Sequence, residues 1–231
     1  MGLPHIYFIM NKISDLSENT ILSQPNNIGR LRQHVRILII DDNEFMAEKY
    51  LKNNGYQIDH KYDIDTIKEV EPYEIIMCDI SGVGKKLGFE KEGAFIIREI
   101  HENYPNKVII AYTSYTYNAD YNQFFALADS VVAKDIPIDD WIGILDEQVR
   151  NAINPIQQWK RIRNYLFDND VSTITIAQIE DRYVKSIKKK DFNILTAYIS
   201  GKDSKLNTII TDFASSLCAK LILGALSGGA L

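Results

Sequence analysis

Short apolar runs and amphipathic segments alternate between residues 36 and 154. Four of the runs consist almost entirely of apolar residues, which is the pattern of strands buried on both faces of a sheet, and a fifth segment alternates apolar and polar positions. Helical spacing follows each strand, and five such strand–helix units predict an α/β fold with a parallel sheet covered by helices on both faces. The predicted strands are residues 36–40, 56–62, 75–78, 108–112 and 130–133.

The rest of the chain does not continue the sheet. After residue 154, apolar positions recur at helical spacing in four segments, with Ser172 and Asp203 as candidate N-caps. We therefore expect three parts: a partly helical N-terminal extension over residues 1–35, the α/β domain over residues 36–154, and a small all-α bundle over residues 155–231.

The composition is that of a folded globular protein. Of the 231 residues, 45% are hydrophobic and 25% are charged, which excludes a disordered chain and a polytopic membrane protein. Cys78 and Cys218 are too few for a disulfide framework and show no zinc-ligand spacing, so a reducing cytoplasmic location is expected. The net charge of −5 is unevenly distributed, because residues 36–154 are acidic and residues 155–231 are mildly basic.

The sequence of the mildly basic region, residues 155–231, does not identify what this region binds. Its charge permits DNA binding, but it contains no helix-turn-helix pattern with a recognition helix, so DNA is not an expected partner. Residues 213–231 are mostly apolar or small, and Lys220 interrupts them. Because a charge inside a spanning helix is costly, we expect this stretch to pack on the bundle, with membrane association as the alternative.

Polar residues follow the predicted strands at the points where the strands end. Parallel α/β sheets bind ligands outside the carboxyl ends of their strands, so these side chains are expected to converge. Carboxylates placed together repel one another unless a hard cation such as Mg²⁺ neutralises them. A lysine and a threonine hydroxyl suit phosphate oxygens, so the set describes phosphoryl transfer to an aspartate. The candidates are Asp41, Asp42, Asp79, Thr113, Ser114 and Lys134.

Four motifs carry these residues: ILIIDDN (37–43), IIMCDI (75–80), VIIAYTS (108–114) and VVAKD (131–135). In order and spacing, they resemble the receiver domain of bacterial two-component response regulators. The resemblance covers about half of the chain. It implies a flavodoxin-like, doubly wound, five-stranded parallel sheet and a response regulator of a histidine–aspartate phosphorelay.

The resemblance also implies a role for each candidate residue. Asp79 would accept the phosphoryl group, Thr113 would contact that group, and Lys134 would pair with it. The donor would be a histidine kinase or a phosphotransfer protein, and phosphorylation would be linked to formation of a homodimer. The Mg²⁺ ligands would be Asp42 directly, Asp41 mainly through water, Asp79, and the backbone carbonyl of Ser81.

Three features depart from the pattern of the family. Asp135 follows Lys134 where the family usually has proline, and Val131 stands where an aromatic switch residue is common. Residues 80–88 form a longer, Gly-rich segment with two lysines, which is typical of a solvated loop, and the alternative is a loop that reaches the phosphate or a partner. These departures leave two alternatives open. One is a pseudo-receiver that is never phosphorylated and serves as a protein-interaction module, and the other is a receiver-controlled effector that acts on membranes.

Overall fold

The chain forms two compact units in the computed structural model, which describes residues 10–16, 28–88, 92–114, 121–216, 219–220, 222 and 224. The first, called the sheet unit below, is Pro25–Gln158. The second, called the helical unit, combines Met1–Gln24 with Trp159–Leu231. The boundaries expected from the sequence lie at residues 36 and 155, whereas the contacts divide the chain after Gln24 and after Gln158.

The sheet unit contains five strands in the order β2-β1-β3-β4-β5, and each neighbouring pair is parallel. This is the strand order of the flavodoxin-like doubly wound fold, whose ligand-binding edge lies where the order reverses, between β1 and β3. The predicted fold class is therefore confirmed. The strands are β1 (Arg36–Ile40), β2 (Gln57–Lys61), β3 (Ile75–Asp79), β4 (Val108–Thr113) and β5 (Ser130–Ala133).

The centre of the sheet is buried on both faces. Every residue of β3 and β4 is buried, as is β1 from Ile37 onwards, which explains why these strands are continuous apolar runs in the sequence. Arg32 contacts Asp146 through two hydrogen bonds of 2.8 and 2.7 Å, so residues 28–34 pack with the sheet unit. The helices of this unit are α1 (Ile28–His34), α2 (Glu48–Asn53), α3 (Glu92–Asn103), α4 (Asn122–Phe125) and α5 (Asp140–Ile153).

The sequence predicts a helix that is capped by Asn43 and runs to about Asn54, but the first helix after β1 begins later. Asn43 is a good N-cap residue by type, but α2 begins at Glu48 and its N-cap is Ala47, which forms no side-chain cap. Asn43 instead donates its side-chain amide to Asp42 at 2.7 Å and its backbone N–H to Asp41 at 2.9 Å. These local hydrogen bonds compete with helix formation and keep the chain after β1 in a loop.

The described residues of the helical unit form an all-α bundle, as predicted. Both predicted caps are present, because Ser172 accepts the backbone N–H of Thr175 at 3.2 Å and Asp203 accepts that of Leu206 at 3.0 Å. Its core contains the packed rings of Trp159, Tyr183, Phe192 and Phe213. The helices are α6 (Pro155–Asp168), α7 (Thr173–Lys189), α8 (Asn193–Ile199) and α9 (Ser204–Ser215). The division of the chain after Gln158 falls within α6.

Two carboxylates of α7 accept hydrogen bonds from residues 10–16. Asp181 accepts the backbone N–H and the side-chain amide of Asn11, both at 2.8 Å. The preceding residue, Glu180, accepts the backbone N–H of Ile13 at 2.7 Å and the indole N–H of Trp159 at 3.0 Å. The segment before the sheet unit is thus held by charged acceptors far along the chain.

No helix among the described residues is long and apolar enough to cross a membrane. Most of the apolar stretch at residues 213–231, for which the sequence left membrane association open, lies outside the described residues, as does Cys218.

Candidate functional site

Three carboxylates meet at the carboxyl edge of the sheet. Asp41 and Asp42 follow β1, and Asp79 is the last residue of the neighbouring strand β3. One oxygen of each lies within 4.8 Å of the other two. Asp41 and Asp79 are buried, at 2% and 5% exposed, whereas the Asp42 side chain is 39% exposed. The reversal of strand order therefore brings together the three acidic residues that the sequence singled out.

Lys134 bridges two of these carboxylates. It follows β5, and its Nζ lies 2.6 Å from Asp79 Oδ2 and 2.8 Å from Asp41 Oδ2. Burial raises the pKa of Asp79 despite the opposing effect of Lys134. Burial also opposes the charge of Asp41, but hydrogen bonds from Lys134, Tyr112 and the Asn43 backbone outweigh it, so the pKa of Asp41 is lowered. One lysine beside three carboxylates leaves a net negative site.

Tyr112 is a site residue that the sequence analysis did not identify. Its hydroxyl donates to Asp41 Oδ2 at 2.5 Å, and its ring centre lies 4.8 Å from Lys134 Nζ. The ring packs edge-on against Phe45 and Trp141, with centroid distances of 5.8 and 6.2 Å. A tyrosine in a buried strand is ordinarily a core residue, and nothing in the sequence indicates that its hydroxyl reaches a residue after β1.

The loop that follows Asp79 is fixed by acceptors outside it. Asp63, another residue that the sequence did not single out, accepts the backbone N–H of Gly84 at 2.6 Å and that of Lys86 at 3.1 Å. Glu92 accepts the backbone N–H of Gly82. The backbone of the loop is therefore anchored, while Lys85 and Lys86 are exposed.

Gly82 allows this loop to approach the acidic residues. Its φ is +88°, in the left-handed region that favours glycine, and a Cβ at this position would lie 2.2 Å from Asp42 Oδ2. Lys85, three residues further on, places its Nζ 3.9 Å from the same oxygen. The close approach brings a second cation near the exposed carboxylate.

Ser81 and Thr113 also lie at this edge. The backbone N–H of Ser81 donates to Asp79 Oδ1 at 3.3 Å. Thr113 ends β4, is 2% exposed, and accepts the backbone N–H of Lys134 through its carbonyl at 3.0 Å. The edge also borders a cavity of about 310 Å³, whose lining includes Asp41, Phe45, Tyr112, Ser114, Lys134 and Trp141.

The donor set fits a hard divalent cation. All three side-chain ligands in the cluster offer oxygen, and carboxylate oxygens together with water and phosphate are the ligands that Mg²⁺ prefers. Asp42 is the most accessible of the three; it accepts the Asn43 amide at 2.7 Å and lies 3.9 Å from Lys85. Asp41 is more fully occupied, because it accepts from Tyr112, Lys134 and the backbone of Asn43.

The sheet unit thus combines the strand order of the flavodoxin-like doubly wound fold with an acidic cluster at its carboxyl edge. The chain matches no protein-family model and no curated protein. It is similar to the solved structure of a CheY-like response regulator receiver domain protein from Methanospirillum hungatei, with 20% identity over 51% of this chain and 95% of that chain, at a TM-score of 0.42.

Two further similar structures are response regulators that carry ligands or a modification. One, from Thermotoga maritima, is in complex with Mg²⁺-BeF; it is 22% identical over 49% of this chain and 98% of that chain, at a TM-score of 0.39. The other, from Burkholderia pseudomallei, has a phosphorylated aspartic acid, a calcium ion and citrate; it is 20% identical over 62% of this chain and 91% of that chain, at a TM-score of 0.40.

Proposed function

We propose that the sheet unit accepts a phosphoryl group on Asp79 in a Mg²⁺-dependent reaction and that the protein is a response regulator. The observation that carries this proposal is the position of Lys134 Nζ, 2.6 Å from Asp79 and 2.8 Å from Asp41. Here a cation stands among three carboxylates at the ligand-binding edge of a doubly wound sheet.

Asp79 would act as the nucleophile. One of its carboxylate oxygens attacks the phosphorus of the donor, the bond from phosphorus to the leaving group breaks, and the electron pair departs with that group. The product is an acyl phosphate on Asp79.

The neighbouring side chains would bind the transferred group. Lys134 already lies within hydrogen-bond distance of Asp79, so its ammonium would offset the charge of a phosphoryl oxygen. The hydroxyl of Thr113 would donate to another oxygen. Mg²⁺, when bound, neutralises charge that develops on the phosphoryl oxygens. It would be held by Asp42, Asp79 and the carbonyl of Ser81, with Asp41 acting mainly through water.

The partners follow from this chemistry. A donor that carries phosphohistidine, either a histidine kinase or a phosphotransfer protein, would present its phosphoryl group at the carboxyl edge of the sheet. Phosphorylation would then shift the sheet unit between two states and change the surface formed by the elements after β4 and β5. The helical unit would serve as the output region, and homodimer formation would accompany the switch.

A pseudo-receiver is the second candidate, and Val131 favours it. Receivers that couple a threonine to an aromatic switch residue need an aromatic ring at this position, whereas Val131 is aliphatic and 49% exposed. In that case the sheet unit would bind a partner without being phosphorylated.

Intact mass spectrometry with acetyl phosphate tests the proposal. We expect a single phosphoryl adduct on the full chain with Mg²⁺, and none with a chelator or in Asp79→Asn. Asp59→Asn is a matched control, because Asp59 is a carboxylate on β2 that contacts Arg36 and Tyr73 outside the acidic cluster; it should keep the adduct. If the wild-type protein stays unmodified both with acetyl phosphate and with candidate kinases, the result favours the pseudo-receiver.

A further inference from the structure

Tyr112 contacts both a candidate metal ligand and the candidate phosphoryl-binding lysine. It is 1% exposed, its hydroxyl lies 2.5 Å from Asp41 Oδ2, and its ring centre lies 4.8 Å from Lys134 Nζ. Phe45 and Trp141 pack edge-on against each other with centroids 5.0 Å apart, and both pack edge-on against the Tyr112 ring. The packed ring therefore holds the hydroxyl against Asp41.

The hydroxyl uses part of the acceptor capacity of Asp41. Oδ2 accepts from Tyr112 and from Lys134, and Oδ1 accepts the backbone N–H of Asn43 at 2.9 Å. Since an ionised carboxylate offers about four acceptor positions, three donors leave Asp41 little capacity for a cation or for its water. Of these three donors, the Tyr112 hydroxyl is the side-chain donor that carries no net charge and has no other part in the proposed reaction.

Lys134 is shared between Asp41 and Asp79. The Tyr112 hydroxyl reduces the unsatisfied charge on Asp41, so Asp41 attracts Lys134 less strongly than it would alone. Without the hydroxyl, Lys134 would be the remaining side-chain donor to Asp41 Oδ2, so the hold of Asp41 on Lys134 would strengthen while Oδ2 gains one free acceptor position. Lys134 would then be less available at Asp79.

We propose that Tyr112 is a positioning residue that weakens the binding of Mg²⁺ at Asp41 while it keeps Lys134 available to the phosphoryl group on Asp79. This inference rests on the proposed function. It predicts two effects of opposite sign when the hydroxyl is removed: Mg²⁺ binds more tightly, and phosphoryl transfer at saturating Mg²⁺ becomes slower. Loss of a purely structural contact would instead weaken Mg²⁺ binding and slow transfer together.

Tyr112→Phe is the test, because phenylalanine keeps the ring that packs on Phe45 and Trp141 and removes only the hydroxyl. The Mg²⁺ dissociation constant is measured by calorimetry without a phosphodonor. The rate of Asp79 phosphorylation by acetyl phosphate is measured at saturating Mg²⁺. We expect the dissociation constant to fall by about three- to tenfold and the rate to fall by at least about threefold, in line with the loss of a hydrogen bond to a charged acceptor.

Tyr73→Phe is the matched control. The Tyr73 hydroxyl also donates to a carboxylate, Asp59, at 2.9 Å, but Tyr73 precedes β3, whereas the acidic residues lie at the other end of that strand. This substitution should change neither quantity. In an Asp41→Asn background, Tyr112→Phe should no longer tighten Mg²⁺ binding, because the hydroxyl acts through the carboxylate charge.

The outcomes separate this inference from the proposed function. Suppose that the wild-type protein binds Mg²⁺ and is phosphorylated, but the Mg²⁺ dissociation constant of Tyr112→Phe is unchanged or higher. This result overturns the inference and leaves the proposed function intact. Tightening that persists in the Asp41→Asn background also overturns it. A wild-type protein that neither binds Mg²⁺ nor accepts a phosphoryl group overturns both.

Discussion

Replacing Gly93 with alanine should distort the backbone that carries Asp79. Gly93 lies in the first turn of α3, and a Cβ built on it would lie 1.8 Å from the carbonyl oxygen of Asp79 and 2.9 Å from Val83 Cγ2. Ordinary van der Waals contact begins near 3.4 Å, so α3 or β3 must move by more than an ångström. The obstacle is backbone, which cannot rotate away as a side chain does.

The size of the effect follows from two opposing contributions. Alanine in a helix is favoured over glycine by about 0.5–1 kcal/mol. Overpacking of a well-packed core usually costs about 1–3 kcal/mol, and a contact to backbone at this distance lies at the upper end of that range. We therefore expect Gly93→Ala to lower the free energy of unfolding of the sheet unit by about 2 kcal/mol.

Gly143 provides the matched control. It lies in α5, is exposed, and a Cβ on it would meet nothing within 4 Å. Gly143→Ala should therefore stabilise by about 0.5–1 kcal/mol. Native-state hydrogen exchange of the β3 and β4 amides reports the stability of the sheet unit separately from that of the helical unit. If Gly93→Ala exchanged as slowly as the wild type while Gly143→Ala was stabilised, α3 would not approach Asp79 as described.

Three further predictions concern carboxylates away from the acidic cluster. Burial raises the pKa of Glu74, so the free energy of unfolding should fall as the pH rises from the pKa of Glu74 in the unfolded state to its pKa in the folded state. Glu74→Gln should therefore stabilise the protein at pH 7 and lose that gain in acid, as measured by urea denaturation. Asp203→Ala removes the N-cap of α9 and should cost about 1 kcal/mol in the same assay. Asp181→Ala leaves the two N–H groups of Asn11 without their acceptor, and the Asn11 amide should exchange at least about tenfold faster.

Each of these has a clear contrary result. Equal stability of Glu74→Gln and wild type at pH 7 would mean that burial does not penalise the charge. A fully stable Asp203→Ala would show that α9 does not depend on its cap. Unchanged exchange at Asn11 would show that other contacts hold the segment.

Much of the sheet could be predicted because its central strands, β1, β3 and β4, are buried on both faces. The predicted and observed limits of β1 and β5 agree, and those of β3 and β4 differ by a single residue. In a strand that is buried on both faces, the run of apolar residues alone identifies the strand, because polar residues occur only where the strand leaves the core. That is also why the sequence could identify the polar residues that converge at the carboxyl edge.

The features that the sequence did not predict depend on contacts between distant residues. The Tyr112 hydroxyl reaches Asp41, and Asp63 holds the backbone of Gly84. Neither pair shows any periodicity, and each partner alone has an ordinary local role. The late start of α2 has a different cause: Asp41 accepts the backbone N–H of Asn43 in an Asx-type turn, so Asn43 lies in a loop and does not cap a helix.

The chain order of the two units determines how the protein can fold during translation. The ribosome releases residues 10–16 before the sheet unit, but their acceptors on α7, Glu180 and Asp181, emerge only after the whole sheet unit. The sheet unit is continuous in the chain and can reach its native structure while the helical unit is still being synthesised, as domains generally fold as units from the N-terminus. Residues 10–16 must therefore remain available until synthesis passes α7, and a fusion that sequesters them would delay the helical unit without delaying the sheet.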